Sequence, residues 1–228
     1  MATGKFGPDS GLLMVDGYNM LSNKITGLRE KASSQLTDTT GIGDTFYETA
    51  PTGLTTVEVV QEGAFFDTTA NYSHAAFSGS VPTSPQATTR IMCLGFGGQT
   101  IGYPMVGYEG NFTQDYEVVA ALGDLQKANV TYAMSGSRDA GVILEKLVTK
   151  TDSWDTTSTP VDNSASTSDG GVGYIQCTAA SGFSGFIGKV RHSSDDVTYS
   201  DLLSFTDDVS APFAERVTVS GTVNRYLS

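Results

Sequence analysis

One segment, residues 37–67, constrains the fold of this chain more than any other. It begins with a polar, glycine-containing stretch from Thr37 to Asp44 that has no apolar periodicity, and it continues through a predicted turn at Ala50-Pro51-Thr52-Gly53. From Thr55 to Phe65, apolar and polar residues then alternate. A period of two residues predicts a strongly amphipathic β-strand. Val57 and Val59 fall on one face, and Glu58, Val60 and Glu62 fall on the other.

The composition extends this prediction to the whole chain, which has 228 residues with 26 glycines and abundant Thr and Ser. Such a composition is typical of short strands joined by turns. The other strands predicted in the first 150 residues are 12–21, a weaker one within 23–36, 46–49, 90–96, 100–108, 112–122, 128–134 and 142–148. Turns are predicted at Gly97-Gly98, as a two-residue hairpin, and at Gly123-Asp124 and Ser135-Gly136. One helix is predicted from Asp67 to Ser78, because Asp67 is a suitable N-cap and Gly79 a suitable stop.

A change in composition predicts two domains. Residues 151–171 are almost entirely Ser, Thr, Asp, Asn, Gly and Pro, which is typical of a linker. We therefore expect a first domain at 1–150, a linker at 151–170 and a C-terminal domain at 171–228. Strands predicted in the C-terminal domain are 173–178, 183–192, 201–205, 215–219 and 222–227, with hairpin turns at Ser193–Asp196 and Ser220-Gly221. The predicted fold class is all-β with one short helix: a β-sandwich or barrel followed by a small antiparallel β-sandwich.

Charge and cysteine content narrow the class of protein. The formal net charge of −12 argues against a nucleic-acid binder, which needs Lys and Arg to displace counterions from phosphates. Cys93 and Cys177 are far apart and have no C-x-x-C partner, so we expect buried free thiols. The N-terminus does not have the pattern of a signal peptide, and no apolar run reaches the length of a membrane helix, so a soluble protein made in a cytoplasm is expected.

The known patterns of catalytic, phosphate-binding and metal-binding residues are not found in the sequence. It has no G-x-S-x-G motif, and its two histidines, His74 and His192, have no triad context. The G-x-G fragments have neither a third glycine nor a Walker lysine. The pairs Asp195-Asp196 and Asp207-Asp208 do not have EF-hand spacing, and they are interpreted as turn residues. We therefore expect no enzyme activity, no catalytic, cofactor-binding or metal-binding residue, and no cofactor.

Several short motifs resemble the major tail tube proteins of long-tailed, siphophage-type bacteriophages. The first is Asp38-Thr-Thr-Gly-Ile-Gly-Asp44, followed by Pro51-Thr-Gly-Leu54 and Gly63-Ala-Phe-Phe-Asp67. Phe112–Val119, followed by Gly123–Ala128, is similar to the central strands of that family, and 190–227 is similar to the Ig-like sandwich that some members carry as an outward-facing decoration. The resemblance implies a tail-tube-type sandwich or barrel, six copies of which close a ring with a continuous inner β-barrel. Stacked rings form the conduit for DNA ejection.

The resemblance also implies roles for particular residues. The polar loop would stack on the neighbouring ring and become ordered only there; its residues are Thr37, Asp38, Thr39, Thr40, Ile42 and Asp44. Candidate lumen-facing acids, which would weakly repel DNA, are Glu58, Glu62, Asp115 and Glu117. The implied partners are copies of the chain itself, the tail tape measure and tail terminator proteins, and genomic DNA that passes without specific binding, with no membrane. The implied location is the virion tail, assembled in the host cytoplasm.

Two other functions remain open at this point. One is an adhesion or carbohydrate-binding module that uses the C-terminal sandwich to bind a glycan or the host surface, with Trp154, Tyr174 and Tyr199 as aromatic residues for sugar stacking. The other is a different structural protein of a virion, such as a capsid decoration or tail terminator protein.

Overall fold

A computed structural model of the chain describes residues 11–20, 25–43, 45–65, 90–134, 136–150, 159–181, 185, 187–206 and 211–228. The regular structure of these residues is almost entirely antiparallel β-strand, which confirms the predicted all-β class. The helix predicted at 67–78 lies outside the described residues.

The strands up to residue 142 form one antiparallel sheet. They are β1 (Leu12–Val15), β2 (Tyr18–Asn19), β3 (Gly27–Asp38), β4 (Thr49–Phe65), β5 (Arg90–Gly95), β6 (Pro104–Val119), β7 (Lys127–Met134) and β8 (Arg138–Val142). Their order is β2-β1-β5-β6-β7-β4-β3, and β8 lies beside the first part of β6.

Strand β6 divides this sheet into two layers. Its first part, up to Asn111, pairs with β5 and β8, whereas its second part, from Asn111 to Val119, pairs with β7. We call β2, β1, β5, β8 and the first part of β6 the first layer, and the second part of β6 with β7, β4 and β3 the second layer. Side chains of both layers form one core, to which the first layer contributes Leu13, Val15, Met92, Leu94, Val106 and Tyr108, and the second layer Val57, Val59, Val130 and Tyr132. Each fully buried side chain of this size contributes about 1.5–3 kcal/mol.

Glu30 connects the two layers at the edge formed by β3. Its Oε1 accepts a 2.5 Å hydrogen bond from the Tyr108 hydroxyl of β6 and a 2.8 Å bond from Nε of Arg138 in β8. Burial and the neighbouring Glu30 carboxylate raise the pKa of Tyr108 above its ordinary value, so its hydroxyl remains a hydrogen-bond donor at alkaline pH as well.

Three predicted elements of the first 150 residues differ in the structure. The strand predicted at 12–21 is interrupted by a two-residue turn at Asp16-Gly17, whose φ angles of 49° and 83° are those of a type I′ hairpin. The strands predicted at 100–108 and 112–122 are the single strand β6, which contains a positive-φ glycine, Gly110, and a shift of register between Thr113 and Asp115. These irregularities accommodate the passage between the layers.

Two further predictions in this part are wrong. Gly97-Gly98 is not a two-residue hairpin, because residues 96–103 form a longer connection in which the Gly102 N–H bonds to the Ile143 carbonyl. The strand predicted at 142–148 is instead β8, which ends at Val142; Ile143 follows it as a buried residue of an irregular segment. In both cases a contact distant in sequence determines the local conformation.

The described residues from 159 onward form two small sheets. Their strands are β9 (Val161–Asp162), β10 (Gly171–Cys177), β11 (Lys189–Ser193), β12 (Ser200–Ser204), β13 (Phe213–Val219) and β14 (Tyr226–Leu227). One sheet is β10-β13 and the other is β12-β11-β14-β9. They face each other at Gly173, where a Cβ atom would lie 2.8 Å from Leu203 and 3.3 Å from Phe205. We call these two sheets the C-terminal sheets.

The turn predicted at Ser193–Asp196 is confirmed, because the chain reverses there between β11 and β12. The hairpin predicted at Ser220-Gly221 is wrong: β13 and β14 belong to different sheets, and Gly221, with φ of 93°, directs the chain from one to the other. Strand β9 lies within the range predicted as a linker and pairs with β14. The division into domains at 1–150, 151–170 and 171–228 stays a prediction.

Replacing Glu30 with alanine should destabilise the protein by about 1–3 kcal/mol, because the buried Tyr108 hydroxyl loses its acceptor. Chemical denaturation of the purified protein measures this change. Glu48→Ala is the control: the Glu48 side chain is exposed, and the change should stay within about 0.5 kcal/mol. Equal unfolding midpoints for Glu30→Ala and the unsubstituted protein would show that the two layers do not depend on this contact.

Candidate assembly surfaces

The second layer has one face on the core and one open face. In β4, the side chains of Val57, Val59 and Gln61 are buried in the core, so those of Glu58, Val60 and Glu62 point to the opposite side. In the part of the chain that the structure describes, no strand packs over this open face.

All four acids predicted from the sequence lie on this open face. The register places Glu58 beside Lys31 and Ala133, and Glu62 beside Gly27. Asp115 and Glu117 of β6 are opposite Thr131 and Asn129 of β7, which alternate with the core residues Val130 and Tyr132. A shallow groove brings Glu62, Asp115 and Glu117 together. We call the side of the second layer that carries these residues the acidic face.

Two bases share this face at its β3 edge. Arg29 and Lys31 are opposite Val60 and Glu58 in the register, and Nη2 of Arg29 lies 3.7 Å from Oε1 of Glu58. The guanidinium and carboxylate of that pair are 63% and 45% exposed, so the pair contributes little to stability. Arg29 and Lys31 alternate along β3 but are not among the site residues predicted from the sequence.

The β3–β4 hairpin extends beyond the core as an arm, which we define as residues 36–54. The turn predicted at Ala50–Gly53 is not present, since Leu36 pairs with Pro51 and Thr37 with Ala50. A register shift between Ser34 and Leu36 and a φ of 80° at Gly53 accommodate this pairing. The described residues of the arm therefore pair as a hairpin within a single chain. That they become ordered only on a neighbouring ring stays a prediction.

The predicted stacking residues lie at the end of the arm. Thr37 and Asp38 are the last residues of β3, and Thr39, Thr40 and Ile42 follow in the loop, whereas Asp44 lies outside the described residues. Hydrogen bonds from Thr40 hold the pKa of Asp38 below its ordinary value, and the Thr40 hydroxyl accepts a 2.9 Å bond from the Glu48 N–H. The arm also exposes large apolar side chains, which are Leu36, Ile42, Phe46, Tyr47 and Leu54.

A second exposed apolar hairpin lies at the opposite end of the second layer. Strand β7 begins opposite the end of β4 that is distant from the arm, and the connection between β6 and β7 is a turn at residues 120–126. The predicted turn at Gly123-Asp124 is confirmed there, with φ of 85° at Gly123. The side chains of Leu122 and Leu125 are exposed at this turn.

The C-terminal sheets cover the outer face of the first layer. Leu12, Met14, Cys93 and Ile143 form a second buried cluster there, against which Tyr174 of β10 packs. Burial raises the pKa of the Cys93 thiol to about 12, which makes it unreactive at neutral pH. Cys93 confirms the prediction of a buried free thiol, whereas the free thiol Cys177 is only partly buried.

Polar contacts fix the position of the C-terminal sheets on the first layer. Arg216 of β13 bonds through Nη1 to Glu109 at 3.0 Å and through Nε to Asp139 at 2.9 Å. Asp139 also accepts a 2.5 Å hydrogen bond from the Tyr174 hydroxyl. Burial alone would raise the pKa of Asp139, but the bonds from Tyr174 and Arg216 outweigh it and lower the pKa.

The other candidate residues have structural roles or lie outside the described part. Tyr174 is used in the contact just described, Tyr199 donates to Asp196 at 2.5 Å, and Trp154 is not among the described residues. Nδ1 of His192 accepts a bond from the Asn224 N–H, and His74 and Asp207-Asp208 lie outside the described residues. The Asp195 carboxylate accepts bonds from Val197 and Thr198, as expected of a turn residue.

The described residues do not provide a metal site or a membrane-spanning helix. They contain no group of three or more His, Cys, Asp or Glu side chains placed to hold a metal ion. They also contain no helix of the length and hydropathy needed to cross a membrane.

The solved structures with partial similarity to this chain include two from gene transfer agent particles. A chain in the tail of an empty gene transfer agent particle, determined with helical refinement and C6 symmetry, has a TM-score of 0.44 and 12% identity, covering 60% of this chain and 98% of that one. A chain in the virion of a native gene transfer agent particle has a TM-score of 0.42 and 11% identity, covering 60% and 99%. No family model and no curated protein matches this chain.

Gly107→Ala should weaken the contact between the first layer and the C-terminal sheets. A Cβ atom at this position would lie 2.3 Å from the Tyr174 ring, which must then move. The unfolding free energy should fall by about 1–3 kcal/mol. In a Tyr174→Ala background the same change should cost less, because the ring is absent. Additive effects of the two substitutions in a double-mutant cycle would contradict the proposed contact.

The contact of Asp139 with Arg216 and Tyr174 should become weaker at acid pH. The lowered pKa of Asp139 means that its stabilisation is complete above the ordinary carboxyl pKa of about 3.9 and is lost as pH falls through the lowered value. The difference in unfolding free energy between the unsubstituted protein and Asp139→Asn should therefore be constant from pH 7 to about 5 and decrease below about 4. Asp169→Asn, at an exposed position before β10, serves as the control.

Proposed function

We propose that this protein is a structural subunit of a phage-like tail, in which six copies close into a ring and stacked rings form a tube for DNA. The observation that carries the proposal is the architecture of the second layer. It has four antiparallel strands, one face that packs on the core and one open acidic face. Among the described residues, no strand pairs with the outer side of either edge strand. The sequence motifs described above support the same function.

The strand directions favour closure of a ring. Because the layer has an even number of antiparallel strands, its edge strands β6 and β3 run in opposite directions. Rotation about a ring axis preserves these directions, so β3 of each copy meets β6 of the next as an antiparallel pair. Long unpaired edges promote association, and closure of a barrel removes all of them.

In such a ring, the acidic face lines the lumen. The other face of the second layer is already covered by the first layer through the shared core. Glu58, Glu62, Asp115 and Glu117 would then project into the bore. Their charges act on a passing phosphate backbone over about 8 Å at physiological salt, which is enough to prevent adhesion of DNA to the wall.

The two ends of the second layer provide the contact between rings. The arm, with Ile42, Phe46 and Tyr47 exposed, lies at one end, and the turn with Leu122 and Leu125 lies at the other. In a stack, the arm of one ring meets the turn end of the next, and burial of these side chains favours association. The predicted stacking residues Thr37–Thr40 and Asp44 belong to this contact.

The C-terminal sheets would lie on the outside of the tube, because they cover the face of the first layer that is opposite the core. We propose the domain limits 1–150 and 171–228 on this basis. Of the intervening residues, β9 adds an edge strand to the C-terminal sheets through its pairing with β14. The same function places the protein in the virion tail, in contact with tape measure and terminator proteins and with DNA in transit.

Negative-stain electron microscopy of the purified protein tests the proposal directly. Rings with six-fold symmetry or tubes are expected. A protein that stays monomeric at high concentration would contradict ring formation.

Replacing Ile42, Phe46 and Tyr47 with serine should separate the two levels of assembly. The arm lies outside the ring contact, so rings should persist, whereas tubes should shorten at least tenfold because the apolar contact between rings is lost. Val197→Ser with Ile187→Ser is the control, since these side chains are also exposed but lie in the connections on either side of β11. Tubes of normal length from the arm variant would exclude the stacking role.

A further inference from the structure

We infer that the two edges of the second layer carry complementary charges, and that Arg29 and Lys31 of one copy form ion pairs with Asp115 and Glu117 of a second copy. This inference rests on the proposed function, because it identifies the side chains that select the ring contact.

The basic edge is β3. Arg29 and Lys31 are on the acidic face, because they lie opposite Val60 and Glu58 in the register, and both side chains are exposed. The neighbouring acid on the strand, Glu30, points to the other side, where Tyr108 and Arg138 hold it. The open side of this edge therefore presents two bases. Within the described residues, Arg29 has a 3.7 Å contact with the half-exposed Glu58, and Lys31 has no ion pair.

The acidic edge is the second part of β6. Asp115 and Glu117 are exposed on the same face, opposite Thr131 and Asn129 of β7. Glu117 accepts a 3.3 Å hydrogen bond from the Asn129 amide. Among the described residues neither Asp115 nor Glu117 has an ion pair. Lys127, the base of β7 on this face, is bonded to Asp124 instead.

The two edges are too far apart to pair within one chain. Strands β4 and β7 separate them, and three strand spacings amount to roughly 14 Å. That distance exceeds both an ion pair and the Debye length of about 8 Å at physiological salt. In contrast, β3 of one copy and β6 of a second copy can be adjacent strands. Side chains directly opposite on adjacent antiparallel strands have Cβ atoms about 4.5–5.5 Å apart, which is close enough for an ion pair.

The strand that pairs with each edge therefore belongs to another copy of this chain. Antiparallel pairing of β3 with β6 of the next copy places the acidic faces of both copies on the same side, so the four residues face each other across the new strand pair. Pairing of two like edges would oppose base to base or acid to acid, which is unfavourable. The charge pattern thus favours ring closure over a symmetric dimer.

Two charge-reversed variants test the inference, with particle size measured by light scattering and electron microscopy. The first, Arg29→Glu with Lys31→Glu, has two acidic edges; the second, Asp115→Lys with Glu117→Lys, has two basic edges. In each variant alone, the amount of ring-sized particles should decrease at least ten-fold. Circular dichroism confirms that each variant is folded.

Two further samples distinguish ion pairing from a general effect of charge. The chain that carries all four substitutions should form rings again. An equimolar mixture of the two variants should also form rings, in which they alternate, since each edge then meets its opposite charge. Lys146→Glu with Lys150→Glu gives the same change in net charge as the first variant on the segment after β8, and it should assemble normally.

The outcomes separate this inference from the proposed function. If the unsubstituted protein forms rings and both reversed variants form them equally well, the charge pairing is wrong and the ring remains. Loss of rings that neither the four-fold variant nor the mixture restores also overturns the pairing. If the unsubstituted protein forms no rings at all, the proposed function itself fails.

Discussion

The structure depends on one strand that belongs to two layers. The sixteen residues of β6 pair first with β5 and β8 and then with β7, so a single backbone carries the chain from one side of the core to the other. Each layer obtains its buried face only because this strand places the other layer opposite it. Gly110 and the register shift after Thr113 allow the change of direction without loss of the ladder on either side.

The outer faces of the two layers differ in polarity and in accessibility to solvent. The outer face of the first layer is apolar and covered, with Tyr174 packed over Gly107 and Arg216 bound to Glu109 and Asp139. The outer face of the second layer is charged and open. Because core and outer residues alternate along β4, the charges at Glu58 and Glu62 can change without a change in the core residues Val57 and Val59.

Sequence reasoning predicted those features that depend on local alternation. The all-β class and the amphipathic strand that ends at Phe65 are examples, and the same alternation places Glu58 and Glu62 on the face opposite Val57 and Val59. The Asp-Gly pair at 16–17 is also a local hairpin signal, but the apolar residues on both sides of it favour one continuous strand in the sequence pattern.

What could not be predicted depends on contacts distant in sequence. The polar composition of the arm suggested a loop, but the pairing of Leu36 with Pro51 makes it a hairpin. The interaction of Arg216 with Glu109 joins residues more than one hundred positions apart, and neither has a local pattern that indicates it. Arg29 and Lys31 were visible as bases, but their importance appears only when β3 is known to be an edge strand.

The covered first layer also has a consequence for comparison with related chains. Its strands β1 and β5 read as continuous apolar runs, Leu12–Val15 and Ile91–Leu94, because both of their faces are buried. A homologue with no C-terminal sheets would expose one of these faces to water and would be under selection for polar residues at every second position. The length of an apolar run near the start of such a sequence would therefore indicate whether an additional unit is docked on its outer surface, even where that unit has diverged beyond recognition.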